Sequence, residues 1–282
     1  LDALGQLLGP WKYLTSPKIV GGENLPDPRS GRPVLFVGNH TLFGLYDLPI
    51  ILHELYLRGF KARGLAHPGH WKGPMGAVFE RFGAVKASPF TAYKLLAAGE
   101  SVLLFPGGAK EVTKRKDEKY QLLWSEKTDF VRMASKLGAV IVPFAAVGGD
   151  DAFEVAYDKD DILQSPAGDL IVDAITQADM GMDVKDVLYP ITKLPGIGLP
   201  SVVPIPSLER IYIKFQPSID CQEACVDVRD ASQCSNLYRQ VQEAIEDGLQ
   251  EMQAQQAEDP SRDLSDRIIT DVAQFLPRSS EP

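Results

Sequence analysis

Cysteines are scarce in this sequence, and it has no long apolar run. Its three cysteines, Cys221, Cys225 and Cys234, lie close together in a chain of 282 residues. An odd number does not suggest a disulfide framework, and three thiols do not complete a four-ligand zinc site. We therefore expect free thiols, with neither a metal nor another cofactor. No stretch reaches the roughly 20 apolar residues that span a bilayer, so any membrane contact is expected to be peripheral.

The sequence also has no excess of positive charge, and it lacks the common nucleotide-binding and nucleophile motifs. The net charge is −9 and the pI is near 5.0. Nucleic-acid binding is not expected, because neutralising phosphates needs a dominant basic surface. The chain contains no G-x-S-x-G nucleophile elbow, no P-loop and no G-x-G-x-x-G fingerprint. Serine hydrolases, P-loop NTPases and dinucleotide-dependent dehydrogenases therefore lose support.

Apolar strands alternate with helical patterns along the chain. Strands are predicted at 34–37, 84–86, 101–105 and 139–144, the first and last of them buried, with helices at 44–58, 75–82, 90–98 and 128–137. This alternation predicts an α/β fold with a mainly parallel central sheet flanked by helices. A C-terminal amphipathic helix is predicted because apolar residues recur on one helical face, at Leu237, Val241, Ile245, Leu249 and Met252.

His40 is the strongest catalytic candidate among the four histidines. It follows the apolar run 34–37 and so lies at the carboxyl end of a strand, where parallel sheets form their sites. Imidazole is also the natural base near neutral pH. A histidine that only caps the turn fits the position equally well. His53 is predicted to be structural, because it lies within an amphipathic helix, and a metal site at His67 and His70 would lack a third ligand.

The loop after strand 101–105 is the second candidate. Pro106, Gly107 and Gly108 expose backbone without side chains, so their N–H groups could approach a ligand and stabilise an oxyanion. A tight turn that needs glycine is the alternative. Basic residues at 110–119 follow the loop. They fit either docking of anionic lipid, coenzyme A phosphates or an acidic carrier protein, or an ordinary solvated loop.

Three blocks in this order resemble the glycerolipid acyltransferases, the lysophospholipid acyltransferase-like superfamily. Residues 38–47, Gly-Asn-His-Thr-Leu-Phe-Gly-Leu-Tyr-Asp, resemble its His–Asp block. Residues 105–111, Phe-Pro-Gly-Gly-Ala-Lys-Glu, resemble its third block, and 140–144, a strand that runs into proline, the fourth. The resemblance covers roughly residues 30–260.

Other stretches are similar to the phytyl ester synthase branch of plants and algae, which is related to diacylglycerol acyltransferases. They lie at 63–68, 120–134, 148–151 and 210–212. The branch implies transfer of a fatty acyl group from a thioester, either acyl-CoA or acyl carrier protein, to a lipid alcohol such as diacylglycerol or phytol. It also implies a chloroplast location with peripheral membrane contact.

The resemblance implies roles for particular residues. His40 is the expected general base and Asp47 its acidic partner, with Glu111 as the alternative. The substrate-binding residues are expected to be Asn39, Gly107, Gly108, Lys110 and Glu111. The family spacing His-x4-Asp falls on Leu45, so direct contact between His40 and Asp47 requires an irregular turn.

Two departures from the family pattern bear on the acceptor. The common third block has Glu where Gly108 stands and Arg where Lys110 stands. Lysine lacks the bidentate fork that suits a phosphate, so a neutral acceptor is favoured.

The expected organisation is an N-terminal extension over 1–29, an acyltransferase domain over 30–257 and a polar tail over 258–282. Within the domain, 150–206 is expected to form a surface and membrane-facing excursion. Two alternatives for the activity stay open. One is an esterase or thioesterase in which His40 activates water, and the other is a catalytically silent lipid-binding module.

Overall fold

The structure, a computed structural model, describes residues 2–72, 75–125, 127–177 and 188–268. Its strands in these ranges are β1 (Lys18–Val20), β2 (Val34–Gly38), β3 (Arg63–Ala66), β4 (Val85–Lys86), β5 (Val102–Leu104), β6 (Val140–Val147), β7 (Val155–Tyr157), β8 (Ile191–Lys193), β9 (Pro200–Ser201), β10 (Tyr212–Phe215) and β11 (Ile219–Asp220).

The central sheet has eight strands in the order β1-β10-β6-β2-β5-β3-β4, with β11 also paired to β6. Strands β6, β2, β5, β3 and β4 are parallel to one another. Strand β10 is antiparallel to β6, and β1 is parallel to β10. The predicted mainly parallel sheet is therefore confirmed. Strands β7, β8 and β9 form a separate antiparallel sheet.

Helices cover both faces of the central sheet. The α-helices are α1 (Asp2–Leu7), α2 (Gly9–Thr15), α3 (Leu48–Leu57), α4 (Met75–Arg81), α5 (Pro89–Ala97), α6 (Ala109–Val112), α7 (Asp129–Lys136), α8 (Lys159–Gln164), α9 (Gly168–Gln177), α10 (Cys221–Ala224) and α11 (Ala231–Ala257). Short 3-10 turns lie at Gly22–Asn24, Leu42–Gly44 and Pro68–Lys72. In the described residues, no helix is long and apolar enough to cross a membrane.

Alternate residues of the central strands contribute their side chains to two hydrophobic cores, one on each face of the sheet. Leu35 and Val37 of β2 pack with α5, α7 and α11, whereas Phe36 packs on the other face with Ile50 and Leu55 of α3. Burial on both faces explains why these strands read as continuous apolar runs. The predicted C-terminal helix is confirmed as α11, and its five periodic apolar residues are all buried.

Helix α3 begins later than the predicted start at 44. A 3-10 turn at Leu42–Gly44 precedes it, and Phe43 inside that turn has a positive φ of 61°. Pro49 lies in the first turn of α3, where its fixed φ is tolerated and its missing N–H costs nothing. The chain from His40 to Asp47 is therefore an irregular turn.

The two segments that flank the expected domain, the N-terminal extension and the C-terminal tail, both pack against it. Strand β1, within the expected N-terminal extension, joins the edge of the sheet. In the expected polar tail, Asp259 forms ion pairs of 2.8 Å with Lys18 and Arg210, and Arg267 donates to the Leu14 carbonyl at 2.6 Å. The described part of the tail thus packs against the body, and residues 269–282 lie outside the described ranges.

The expected surface excursion at 150–206 contains β7, α8, α9, β8 and β9. Asp150, its first residue, is buried in the body with 1% of its surface exposed. Residues 178–187 of this segment lie outside the described ranges.

Candidate acyl-transfer site

His40 and the glycine loop lie together at one edge of the sheet. Strands β2 and β5 are parallel neighbours, and Val37 pairs with Leu104. Because both chains leave the sheet at the same edge, the His40 ring stacks on Phe105, with centroids 4.1 Å apart and planes 18° apart. Gly44 packs against the same ring, since a β-carbon there would overlap His40 Cε1.

The His40 imidazole is neutral at physiological pH. Burial, with smaller contributions from Lys114 and His70, lowers its pKa to about 3. Within the described ranges, no side chain forms a hydrogen bond with the ring. Neutral imidazole is the form that a general base needs.

Glu111 is fully buried and bonds to the backbone at the site. Its Oε2 accepts from the His40 N–H at 2.6 Å, and its Oε1 accepts from the Leu123 N–H at 3.0 Å. Burial raises the pKa of Glu111 to about 7, while Lys114 and the two N–H groups act in the opposite direction. A β-carbon at Gly107 would overlap this carboxylate, which explains the glycine there. Glu111 therefore holds the backbone of His40 and does not bond to its ring.

Asp47 contacts the turn through Thr41. Its Oδ1 accepts from the Thr41 hydroxyl at 2.8 Å. Burial raises the pKa of Asp47 to about 6, against the lowering effect of that hydrogen bond. The turn between His40 and Asp47 is irregular, with positive φ at Phe43 and Gly44, yet Asp47 does not bond to the His40 ring in the described structure. A catalytic role for Asp47 stays a prediction, with Thr41 as its contact.

The expected substrate-binding residues differ in accessibility. Asn39 is fully buried, and its side-chain amide exchanges two hydrogen bonds with the backbone of Ala146, at 2.9 and 2.8 Å. The Gly108 N–H donates to the Phe105 carbonyl at 3.1 Å, so it belongs to the turn. The structure gives the Gly107 N–H no acceptor among the described residues. Lys110 is exposed on α6. Gly107 is itself buried, so substrate contact at any of these five residues stays a prediction.

Lys114 and Asp150 form a buried ion pair beneath the His40 turn. Their side chains are 2% and 1% exposed, and Nζ lies 2.8 Å from Oδ2. Sequence reasoning missed this pair, because Lys114 looked like one of several solvated lysines and Asp150 like the start of a surface segment. The motif Gly148-Gly149-Asp150-Asp151 contributed to the family resemblance but indicated no role for Asp150.

Three further basic residues after the glycine loop pair with carboxylates: Arg115 with Asp160 and Glu118, Lys116 with Asp161, and Lys119 with Asp151. These partners satisfy the charges that an anionic ligand would need. Lys110 is exposed and forms no ion pair within the described ranges. Of the two interpretations of this stretch, the solvated, ion-paired loop is favoured.

An aromatic cluster adjoins the catalytic turn. Phe43 stacks on Tyr189, with centroids 5.6 Å apart and planes 14° apart, and meets Phe153 edge-on at 4.7 Å. A positive φ is unfavourable for a non-glycine residue. The cluster therefore holds Phe43 in a conformation that presents apolar surface three residues from His40.

The remaining histidines have packing roles in the structure. His53 is buried, and its Nδ1 lies 2.9 Å from Lys12 Nζ. His67 accepts from the Gly69 N–H at 3.0 Å, and His70 packs edge-on against Phe79. The described residues contain no cluster of three metal-ligating side chains.

The three cysteines are free and buried. Cys225 and Cys234 approach each other with their sulfurs 3.5 Å apart.

His40 stacks on the residue that precedes a Pro-Gly-Gly loop, at the carboxyl edge of a mainly parallel sheet, and this geometry is compatible with acyl transfer. The family profile described as Acyltransferase matches residues 16–147. Residues 16–147 therefore match the acyltransferase family, which agrees with the resemblance of the chain to the glycerolipid acyltransferases.

Two curated plant proteins are similar to the chain. It is 34% identical over 265 residues to phytyl ester synthase 2, chloroplastic, of Arabidopsis thaliana, an alignment that covers 88% of this chain and 36% of the relative. It is 31% identical over 260 residues to phytyl ester synthase 1, chloroplastic, of the same plant, covering 89% of this chain and 36% of the relative. The chain thus spans about a third of the length of these relatives.

Among solved structures, the chain is similar to the 1-acyl-sn-glycerophosphate acyltransferase of Thermotoga maritima. The TM-score is 0.48 at 18% identity, with 90% of this chain and 82% of that chain covered.

Proposed function

We propose that this chain is an O-acyltransferase that moves a fatty acyl group from a thioester to the hydroxyl of a lipid alcohol, with His40 as general base. The observation that carries the proposal is the His40 ring stacked on Phe105, which immediately precedes the Pro-Gly-Gly loop whose Gly107 N–H has no acceptor among the described residues. A lipid hydroxyl is a weak nucleophile, and a positioned base accelerates its attack by roughly 10²- to 10⁴-fold. The enzyme itself then needs no nucleophile, which agrees with the missing serine elbow.

The proposed step balances as follows. His40 removes the hydroxyl proton while the oxygen attacks the thioester carbonyl carbon. The tetrahedral intermediate collapses, its C–S bond breaks, and the imidazolium returns the proton to the departing thiolate. The products are an ester and a free thiol. A pKa of about 3 makes His40 a weak proton acceptor, but the negative charge that develops on the intermediate beside the ring favours the imidazolium.

Gly107 is the proposed oxyanion donor. Its N–H lacks a partner among the described residues, whereas the Gly108 N–H is used within the turn. One such donor contributes on the order of 10²-fold to catalysis. The loop therefore supplies the group that stabilises the charge, and His40 supplies the base.

A neutral acceptor, such as diacylglycerol or phytol, is proposed. The cations at 114–119 are already paired with carboxylates, so they offer little to an acceptor phosphate. The apolar cluster of Phe43, Phe153 and Tyr189 lies beside the base. The similar plant proteins are named as phytyl ester synthases of chloroplasts, which supports phytol as an acceptor and a plastid location. The donor is proposed to be acyl-CoA or acyl carrier protein.

Peripheral membrane contact is proposed through the apolar hairpin, residues 194–208. This segment contains no charged residue. Its exposed aliphatic side chains are Ile197, Leu199, Val202, Val203 and Ile205. Contiguous exposed apolar area of this kind is typical of surfaces that dock on membranes. Tyr189, just before β8, stacks on Phe43, so the chain leads from the His40 turn through β8 into the hairpin.

One assay separates the proposal from its alternatives. The purified chain is incubated with acyl-CoA, with and without diacylglycerol or phytol in vesicles, and the lipid products are analysed. An ester that appears only with the alcohol supports acyl transfer. Free fatty acid without ester identifies an esterase or thioesterase. Neither product, with vesicle binding retained, identifies a silent lipid-binding module.

A further inference from the structure

Three buried side chains form hydrogen bonds with the backbone of the turn that carries His40. Glu111 accepts the His40 N–H at 2.6 Å. Lys114 Nζ donates to the His40 carbonyl at 2.9 Å, and Asp150 Oδ1 accepts from the Leu42 N–H at 2.7 Å. The peptide groups on both sides of the imidazole are therefore fixed by side chains from elsewhere in the chain.

Lys114 and Asp150 also bond to each other, so their contacts form one network. Nζ lies 2.8 Å from Asp150 Oδ2, and the same oxygen accepts from the Tyr120 N–H at 2.9 Å. The two side chains come from segments 36 residues apart, and both are almost fully buried. Taking two charges out of water costs several kcal/mol per ion. Because desolvating the two charges is so costly, packing alone does not explain this ion pair.

We infer that Lys114 and Asp150 are positioning residues that hold the His40 turn in its reactive geometry. The inference rests on the proposed acyl transfer. Neither side chain bonds to the imidazole, and both act through the His40 carbonyl and the Leu42 N–H. A displacement of about 1 Å in a catalytic group can cost on the order of 10²-fold in rate. The pair therefore contributes to turnover without touching substrate.

The network also sets the charge around the imidazole. Lys114, Glu111 and Asp150 surround the turn, Asp47 faces it through Thr41, and His70 is close enough to lower the His40 pKa, as Lys114 does. Removing the Lys114 charge should therefore raise the pKa of His40.

The test uses a double variant, Lys114→Met with Asp150→Leu, in the whole chain. Replacing both partners of a buried ion pair with apolar residues is often neutral for stability, whereas removing one partner is strongly destabilising. The variant is expected to stay folded and to lose kcat by about tenfold or more, with the KM for the thioester within about twofold. The control is Lys116→Met, which removes a cation from an exposed ion pair and is expected to keep kcat within about twofold.

Two readouts do not depend on acyl transfer. In the double variant, the Leu42 amide is expected to exchange its hydrogen faster by about fivefold or more. NMR titration of the His40 ring is expected to show a raised pKa. A folded double variant with wild-type kcat, or with unchanged Leu42 exchange, overturns the inference. If the wild-type chain forms no ester, the proposed function fails, and the Leu42 exchange result alone decides whether the pair holds the turn.

Discussion

The His40 imidazole lies flat against the ring of Phe105, with 4.1 Å between centroids. Gly44 leaves room for the same ring, since any side chain there would overlap it. Packing therefore orients the proposed base, and no carboxylate in the described part of the chain bonds to the ring. Residues that shape this packing should control turnover as strongly as a charged partner would.

Gly44→Ala is expected to lower kcat by about 10²-fold, because the added methyl group displaces the His40 ring. Alanine is also strained at the φ of +64° found there. Gly31→Ala is the matched control, since Gly31 has a φ of +72° and open space around it. Steady-state kinetics and melting temperatures of both variants check the prediction. Equal losses of activity in the two would assign the effect to backbone strain instead.

His40→Ala is expected to abolish ester formation, a loss on the order of 10²-fold or more, and to leave the fold intact. The ring lies at the rim of the sheet, so truncation should leave no large core cavity. His53→Ala should give the opposite pattern, with a lower melting temperature and retained kcat, because His53 is buried away from the site against Lys12. A folded His40→Ala protein with near wild-type activity would rule out the proposed base.

Glu111→Gln is expected to change the pH dependence of kcat/KM. The active form of His40 is neutral, and with a pKa of about 3 it stays neutral from about pH 8 down to about pH 5. Burial raises the pKa of Glu111 to about 7, so this carboxylate gains a proton as the pH falls through that value. Protonation removes an acceptor from the His40 or the Leu123 N–H. The rate should therefore fall below about pH 7 in the wild type.

The inflection near pH 7 is expected to vanish in Glu111→Gln, which has no titrating group at that position. Rates measured across the range in both proteins test this. If the inflection persists in the variant, it belongs to another group, and the assignment to Glu111 is wrong.

Thr41→Val and Asp47→Asn are expected to affect turnover through one interaction. The Asp47 carboxylate bonds to the Thr41 hydroxyl, and an amide is a weaker acceptor than a carboxylate. Asp47→Asn should lower kcat, and the double variant should be no slower than Thr41→Val alone. The measurement is a double-mutant cycle, in which kcat is determined for the wild type, the two single variants and the double variant. Additive losses would show that Asp47 acts on His40 independently of Thr41.

Val202→Glu is expected to weaken vesicle binding by at least about tenfold, since burying a valine side chain contributes roughly 1.5 kcal/mol or more. Val202 is 82% exposed on the apolar hairpin. Val226→Glu is the control, because Val226 is 80% exposed between α10 and α11. Flotation with vesicles measures both variants. Equal binding by the two would show that the hairpin is not the docking surface.

The strands, and the position of His40 at the same sheet edge as the glycine loop, could be predicted from the sequence, because both depend on local patterns of residues. An apolar run ending at Gly38 predicts a strand end, and parallel neighbours bring their ends to one edge. The pairing of Lys114 with Asp150 could not be predicted in this way. A buried lysine and a solvated lysine look alike in sequence, and the contact depends on how segments 36 residues apart fold together. The irregular turn before Asp47 could not be predicted from the sequence either, since phenylalanine is not a residue type expected at positive φ.

The contacts of β1 at the sheet edge bear on the order in which the molecule folds. Lys18 pairs with Tyr212 in the sheet and with Asp259 through an ion pair. Long-range contacts stabilise the fold only after their loop-closure entropy has been offset, so they form late. During synthesis, β1 cannot pair until Tyr212 and Asp259 have emerged, whereas β2, β5 and β6 can pair once Val147 has emerged. The edge bearing His40 is thus built from the early-forming part of the sheet, and β1 is expected to be the strand that opens first in native-state hydrogen exchange.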